Sequence, residues 1–219
     1  MKNMSQSLQR REQDFLGLIV RDYIATAEPV GSETLRKKYN LSLSPATIRK
    51  TMMALEEAGF LEQPHTSAGR VPTEEGYRYY IEHCTLPKNV EGAVQGLAHF
   101  FQGWATDESA PIKRAARELA EHLQEGVFLG IGRHETYYTG FSYLLGQPEF
   151  ESHDIVMEIG RVLDALDEVV TRLAQETSEM TVLIGRENPF DASCATVVAP
   201  RLTATGERVI IGVIGPMRM

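Results

Sequence analysis

The sequence is poor in cysteine and has no long apolar run. It contains two cysteines in 219 residues, Cys84 and Cys194, and their separation fits neither a metal site nor a redox motif. We expect buried free thiols in a reducing compartment. No stretch approaches the ~18 apolar residues of a membrane span, and the start MKNMSQSLQRREQDF lacks the apolar core of a signal peptide. The sequence therefore predicts a cytoplasmic protein without a membrane partner.

The arrangements typical of enzymes and metal sites are also missing. The histidines have no partnering acids at ligand spacing. GIGRHE lacks the third glycine of a dinucleotide-binding loop, and GFSYL has Leu144 where a nucleophile elbow requires glycine. We therefore expect no enzyme activity, no cofactor and no metal.

The acidic excess of the chain is confined to its second part. The formal net charge is -8, but residues 1–83 hold 11 Lys and Arg against 11 Asp and Glu, whereas residues 84–219 hold 11 against 19. Residues 36–55 contain no acidic side chain. A local patch of this kind matters more for nucleic-acid binding than the total charge. Its five basic residues are Arg36, Lys37, Lys38, Arg49 and Lys50.

Apolar spacing and capping residues predict three helices at the start, over about 6–26, 32–39 and 45–58. Ser32 and Ser44 are the expected N-caps of the second and third helices, and Gly59 ends the third. The third helix should bury Ile48, Met52 and Leu55. Its opposite face then holds Ala46, Lys50, Met53 and Glu57, flanked by Thr47 and Arg49.

A hairpin and a fourth helix should follow. FLEQP and RVPT bracket HTSAG, in which Gly69 can take the positive φ of a tight turn. Thr73 can cap a helix over EEGYRYYIEHC. Three helices followed by a small hairpin is the winged helix-turn-helix arrangement, which we predict for residues 1–84.

The remainder indicates a linker over 85–111 and a smaller mixed α+β domain over 112–219. Its expected helices begin at Ile112 and at about Asp154, the second running to Glu176. The expected strands are VFLGI, TYYTGF, MTVLIG, CATVVAP and RVIIGVIG. The fold class is therefore α+β for the whole chain.

The outer face of the third helix suits the major groove of DNA. Small residues let a helix approach closely, and Arg or Lys reaches phosphates or the O6 and N7 acceptors of guanine. His65 and Arg70 of the hairpin would contact an adjacent groove or the backbone. A basic run alone is more often a solvated surface, but the helix-turn-helix spacing and the hairpin arginine favour DNA.

Several longer motifs resemble one family. AEPVGSETL, LSPATIR, ALEEAGFLEQPHTSAGRVPT and GYRYYIE resemble the DNA-binding domain of the HrcA family of bacterial heat-inducible transcription repressors. TGFSYLLGQPEF, VLIGREN and IGVIGPMRM resemble its C-terminal part. The sequence differs from the family in two places. The family usually has Asn-Glu at the positions of Lys50 and Thr51. It also usually has a longer region between Cys84 and Tyr138, so the chain resembles a shortened relative.

The resemblance implies a homodimer that binds an inverted-repeat operator, called CIRCE, upstream of chaperone operons. It also implies chaperonin as a partner that keeps the repressor active, and a partial GAF-like second domain. Ser44, Ala46, Thr47 and Arg49 match recognition-helix positions, and Thr66, Ser67 and Arg70 match the wing. Residues and resemblance together predict the DNA-binding set Arg36, Lys37, Lys38, Ser44, Ala46, Thr47, Arg49, Lys50, His65, Thr66, Ser67 and Arg70.

Two other functions stay open at this point. One is a winged-helix regulator with a different operator and a ligand or partner as its signal. The other is a truncated interaction module that pairs with a full-length repressor and does not bind an operator alone.

Overall fold

The computed structural model describes residues 8–66, 68–84, 109–132, 135–150, 157, 160, 163–164, 166–202, 206 and 208–219. The chain separates into two compact units, one ending at Leu86 and one beginning at Pro87. None of the helices in these described ranges has an apolar stretch long enough to cross a membrane.

The first unit begins with three helices whose bounds follow their capping groups. They are α1 (Arg10–Thr26), α2 (Ser32–Lys38) and α3 (Pro45–Glu57). α1 begins later than predicted, at a point where the Gln9 N–H donates to Glu12 Oε2 at 3.0 Å. Ser32 is the first residue of α2 and not its cap, because Gly31 occupies the extended N-cap position.

The capping of α3 agrees with the sequence. Ser44 Oγ accepts a hydrogen bond from the Thr47 N–H at 3.1 Å, which satisfies one of the free donors at the helix start. Pro45 follows at the first helical position, where its missing N–H costs nothing. Gly59 has a φ of +86° just beyond the helix and carries the chain away from it.

A short hairpin and a fourth helix complete the first unit. The strands β1 (Leu61–Glu62) and β2 (Val71–Pro72) pair antiparallel. α4 (Glu74–His83) begins where Thr73 Oγ1 accepts a hydrogen bond from the Gly76 N–H at 3.1 Å. The hairpin and the cap at Thr73 were both predicted from the sequence.

Gly69 has a different role from the one expected. Its φ lies outside the left-handed region. The glycine is needed because a Cβ there would lie 2.4 Å from the carbonyl carbon and oxygen of Val30. The next residue, Arg70, exchanges two backbone hydrogen bonds with Val30, both at 2.9 Å. The base of the hairpin is therefore hydrogen-bonded to the turn between α1 and α2.

The helices and the hairpin share one apolar core. Each fully buried aliphatic or aromatic side chain contributes about 1.5–3 kcal/mol to stability. The buried face of α3 is the predicted one, Ile48, Met52 and Leu55. These pack with Phe15, Leu16, Ile19, Val20, Val30, Leu35, Phe60, Leu61, Tyr77, Tyr79 and Tyr80.

The second unit is a five-stranded antiparallel sheet with helices. The strands are β3 (Gly126–Ile131), β4 (Glu135–Thr139), β5 (Thr181–Ile184), β6 (Cys194–Leu202) and β7 (Arg208–Pro216), in the order β4-β3-β7-β6-β5. The helices are α5 (Ser109–Leu123), α6 (Phe141–Leu145) and α7 (Leu166–Glu176), with single 3-10 turns at Pro148–Phe150 and Gly185–Glu187.

Two predicted boundaries of the second unit change, and a third lies mostly outside the described residues. The last residues assigned to the linker form the first turn of α5, where proline is tolerated; residues 85–108 lie outside the described part. β4 ends before Gly140, whose φ of +77° starts α6. Most of the predicted helical stretch 154–165 is likewise outside the described residues.

Both faces of the sheet are covered. One core contains Ile112, Ala116 and Leu119 of α5 packed on β3 and β7. The other contains Phe128, Val198, Ile210 and Ile214 under α6 and α7. Cys194 belongs to this second core, where burial raises the pKa of its thiol to about 12; Cys84 is half-buried and also free.

The requirement for glycine at position 69 can be tested by comparing a glycine-to-serine substitution there with the same substitution at position 31. Gly69→Ser should lower the free energy of unfolding by about 1–3 kcal/mol, because the new Cβ forces two backbone segments apart. Gly31→Ser is the matched control: its Cβ meets Thr34 Oγ1 at an ordinary 3.5 Å, and serine is a preferred N-cap. Urea unfolding of both variants measures the difference. Equal stabilities would contradict the proposed constraint.

Candidate nucleic-acid interface

The outer face of α3 is exposed as the sequence predicts. Ala46, Arg49, Lys50, Met53 and Glu57 are all exposed, and Thr47 is half-buried. The face is held outward because Ile48, Met52 and Leu55 on the opposite side are buried. A rigid, capped helix therefore presents small residues in its first turn and basic residues in the next.

Three basic side chains of this patch make no ion pair with any described residue. Lys37 extends from the end of α2, and Arg49 and Lys50 from the second turn of α3, and all three are exposed. Arg36 forms a 3.3 Å ion pair with Glu33 and stays 41% exposed. Exposed pairs of this kind are weak, so Arg36 remains available to an anion.

Lys38 is exposed, as the sequence predicts, but its ammonium group is also bound within the protein. Its ammonium group donates to the carboxylate of Asp22 on α1, a side chain that is 4% exposed. This hydrogen bond is the main cause that raises the pKa of Lys38. The Tyr39 ring lies 5.9 Å from the same ammonium nitrogen. Lys38 thus fastens α2 to α1, because a nearly buried carboxylate needs a partner.

Arg70 of the hairpin is also engaged within the protein. Its Nε and Nη2 both lie 2.8 Å from Glu56 Oε2 on α3, and the side chain is only 15% exposed. Hydrogen bonds between charged groups contribute about 1.5–3 kcal/mol each. In this structure an ion pair with Glu56 holds Arg70 and joins the hairpin to α3, and the contact of Arg70 with DNA stays a prediction.

The tip of the hairpin carries the other predicted residues. His65 and Thr66 are exposed, and Ser67 lies outside the described residues. Gln63 braces the tip, because its side-chain amide donates to the carbonyl oxygens of Thr66 and Ala68, both at 3.0 Å. Together with the backbone hydrogen bond from the Ala68 N–H to the His65 carbonyl oxygen at 2.9 Å, Gln63 stabilises the shape of the tip.

Sequence reasoning missed the partners Asp22, Glu56 and Gln63. Asp22 and Glu56 are 16 and 14 residues from the basic side chains they bind, so no local pattern reveals them. Gln63 lies within the hairpin itself, and its closeness to the turn is the one signal that was available. Within the ranges that the structure covers, no group of three or more His, Cys, Asp or Glu side chains could hold a metal ion.

Comparisons with known proteins identify the family. Residues 87–219 match the family model described as HrcA protein C terminal domain. A heat-inducible transcription repressor HrcA of Desulfitobacterium hafniense is 55% identical over 174 residues, 77% of this chain and 50% of the relative. Another, of Symbiobacterium thermophilum, is 50% identical over 113 residues, 51% of this chain and 33% of the relative. The chain thus spans half or less of the length of these relatives.

A solved structure supports the fold alone. A crystal structure of a hypothetical protein superposes with a TM-score of 0.71 at 19% identity, covering 97% of this chain and 93% of the other. The match of the family model extends over more than half of the residues, 87–219 of 219. The chain belongs to the HrcA family.

Proposed function

We propose that the chain is a transcriptional repressor of heat-shock genes that binds a CIRCE-type inverted repeat as a homodimer. In this proposal the first unit is a winged helix-turn-helix domain: α3 enters the major groove, and the β1–β2 hairpin is the wing. The observation that carries the proposal is the exposed, acid-free first half of α3 with Arg49 and Lys50 beside a braced hairpin. The relatives named heat-inducible transcription repressor support heat-shock genes as the genes that are repressed.

The dimensions of α3 suit this role. The major groove is about 12 Å wide and admits one α-helix. Ala46 and Thr47 are small enough to let the backbone of α3 approach the base edges. Arg49 and Lys50 then reach guanine O6 and N7 or a phosphate. Ser44 stays close to the backbone, because its hydroxyl is occupied by the Thr47 N–H at 3.1 Å and Thr47 Oγ1 at 2.8 Å.

The other candidate residues divide into contacting and positioning groups. Lys37 is exposed and Arg36 is half-buried at the end of α2, and both suit phosphate contacts, which supply affinity without reading sequence. His65 and Thr66 at the wing tip suit the backbone or an adjacent groove, and Ser67, which lies outside the described residues, is proposed with them on its sequence position alone. Lys38 and Arg70 act through the protein, because each is already bound to a carboxylate.

A dimer is expected because one domain alone would give limited sequence specificity. Each good bidentate base contact contributes about 1–3 kcal/mol of discrimination, so one half-site gives modest specificity. An inverted repeat mirrors the two-fold symmetry of a dimer. The second unit, which carries the acidic excess, is the proposed site of dimerisation and regulation, with chaperonin as a candidate partner in the cytoplasm.

The first test is retention of an operator. The purified chain should retard a CIRCE-type inverted repeat in a gel, and a scrambled repeat of the same composition should move freely. Because several phosphates are neutralised, affinity should fall by about 0.9 log units per phosphate contact for each tenfold rise in salt. Retention that does not depend on salt, or no retention of either duplex, would count against the proposal and favour an interaction module.

The second test separates reading from affinity. Arg49→Ala should weaken binding to the inverted repeat more than binding to the scrambled repeat, by about 5–150-fold for each half-site, the range set by one lost base contact in each. Lys37→Ala should weaken both duplexes alike. Fluorescence anisotropy titrations of each variant on both duplexes give the specificity ratio. If both variants lower that ratio equally, the assignment of roles is wrong.

The third test concerns the ion pair between Arg70 and Glu56. Arg70→Gln should weaken specific binding without changing the salt slope, and Glu56→Gln should act in the same direction. The double variant should be no weaker than the weaker single variant, because both remove one interaction.

A phosphate contact by Arg70 would give another result. Arg70→Gln would then reduce the salt slope by about 0.9 for each half-site, and Glu56→Gln would strengthen binding by releasing the arginine. Arg78→Gln is the matched control, since Arg78 is bound to Glu74 on α4 at 2.9 Å, away from the candidate interface.

A further inference from the structure

Met53 is an exposed apolar side chain on an otherwise polar surface. Among the described residues of the first unit, two large apolar side chains are exposed, Met53 at 48% and Ile81 at 47%. Met52, its neighbour in sequence, is 4% exposed and supplies the core contact. Met53 is therefore not required for packing of α3, and its position needs another explanation.

The position of Met53 on α3 is central to the outer face. It follows Ala46 by seven residues and Lys50 by three, so the three side chains lie in one row. Arg49 precedes it by one helical turn, on the side of α3 that carries Glu56. Glu56 binds Arg70 of the hairpin at 2.8 Å. Met53 thus lies at the middle of the surface that the proposed function presents to DNA, beside both basic residues.

The major groove offers one kind of apolar group to such a side chain. Base edges there are hydrogen-bond donors and acceptors, except for the C5-methyl group of thymine. Methionine has three rotatable bonds and a polarisable thioether, so it adapts to an apolar partner of varied position. A hydrogen-bonding role for Met53 is excluded by its chemistry, since thioether sulfur is at most a weak acceptor.

We propose that Met53 reads the C5-methyl group of a thymine in each operator half-site. The inference rests on the proposed function, because it requires α3 to lie in the major groove. Four residues separate Met53 from Arg49, which is about 6 Å along the helix axis. Since base pairs are spaced by about 3.4 Å, the thymine lies within about two base pairs of the base that Arg49 reads.

The experiment removes the methyl group from the DNA and the thioether from the protein. Each thymine of the retained inverted repeat is replaced in turn by deoxyuridine, symmetrically in both half-sites. Anisotropy titrations give the dissociation constants of the wild-type chain, Met53→Ala and Ile81→Ala. Ile81→Ala is the matched control, because it removes an equally exposed apolar side chain from α4.

For the wild-type chain, one thymine position should stand out from the others. Loss of its methyl group should weaken binding about fourfold for each half-site, the factor expected for one buried methyl-sized group. Met53→Ala should bind the methylated and demethylated duplexes equally at that position and keep the wild-type response elsewhere. Ile81→Ala should respond as the wild type does.

Three outcomes would overturn the inference, and they differ in what survives. If Met53→Ala retains the full wild-type response at every thymine, Met53 does not read a methyl group, but the repressor function stands. The same holds if no thymine responds in the wild type. If no duplex is retained by the wild-type chain, the proposed function fails and the inference fails with it.

Discussion

The candidate interface depends on the backbone bridge between Val30 and Arg70. Two hydrogen bonds of 2.9 Å join the turn after α1 to the base of the hairpin, and Gly69 allows the two chains to approach this closely. The bridge fixes the backbone of Arg70, whose side chain then reaches Glu56 on α3. One residue therefore ties the hairpin to α1 and α2 through its backbone and to α3 through its guanidinium group.

Two of the basic side chains in the first unit stabilise the fold through ion pairs. Asp22 holds Lys38, and Glu56 holds Arg70, so two of the predicted DNA contacts are committed to internal ion pairs. Removing Lys38 would leave the Asp22 carboxylate, which is 4% exposed, without this partner, and removing Glu56 would leave the poorly solvated guanidinium group of Arg70 without its carboxylate. Each loss costs more than the net strength of the pair. The cations left for a polyanion are those at the end of α2 and in the second turn of α3. Because they are grouped, an acidic chain still has a local positive surface.

The features that sequence reasoning found are those set by neighbours along the chain. The Ser44 cap with Pro45, the buried stripe of α3 and the Thr73 cap each depend on residues within about two helical turns. The features it missed depend on contacts across the fold. Gly69 was expected to need a positive φ, because its neighbours form a turn, whereas the actual requirement comes from Val30. The strand predicted to run through Phe141 ends at Thr139 instead. The reason is local, because Gly140 adopts a left-handed conformation.

The phosphate contacts proposed for α2 and the apolar contact proposed for α3 respond differently to salt. Phosphate contacts by Lys37 gain most of their free energy from counterion release, which fades as salt rises. An apolar contact between Met53 and a thymine methyl releases no counterions, and excluded salts strengthen burial of apolar groups. Raising salt therefore removes affinity shared by all sequences faster than it removes the contact that distinguishes them. Because the phosphate contacts are common to specific and nonspecific duplexes, their salt dependence cancels in the ratio of the two affinities. The ratio therefore rises only by the small strengthening of the apolar contact, while both absolute affinities fall.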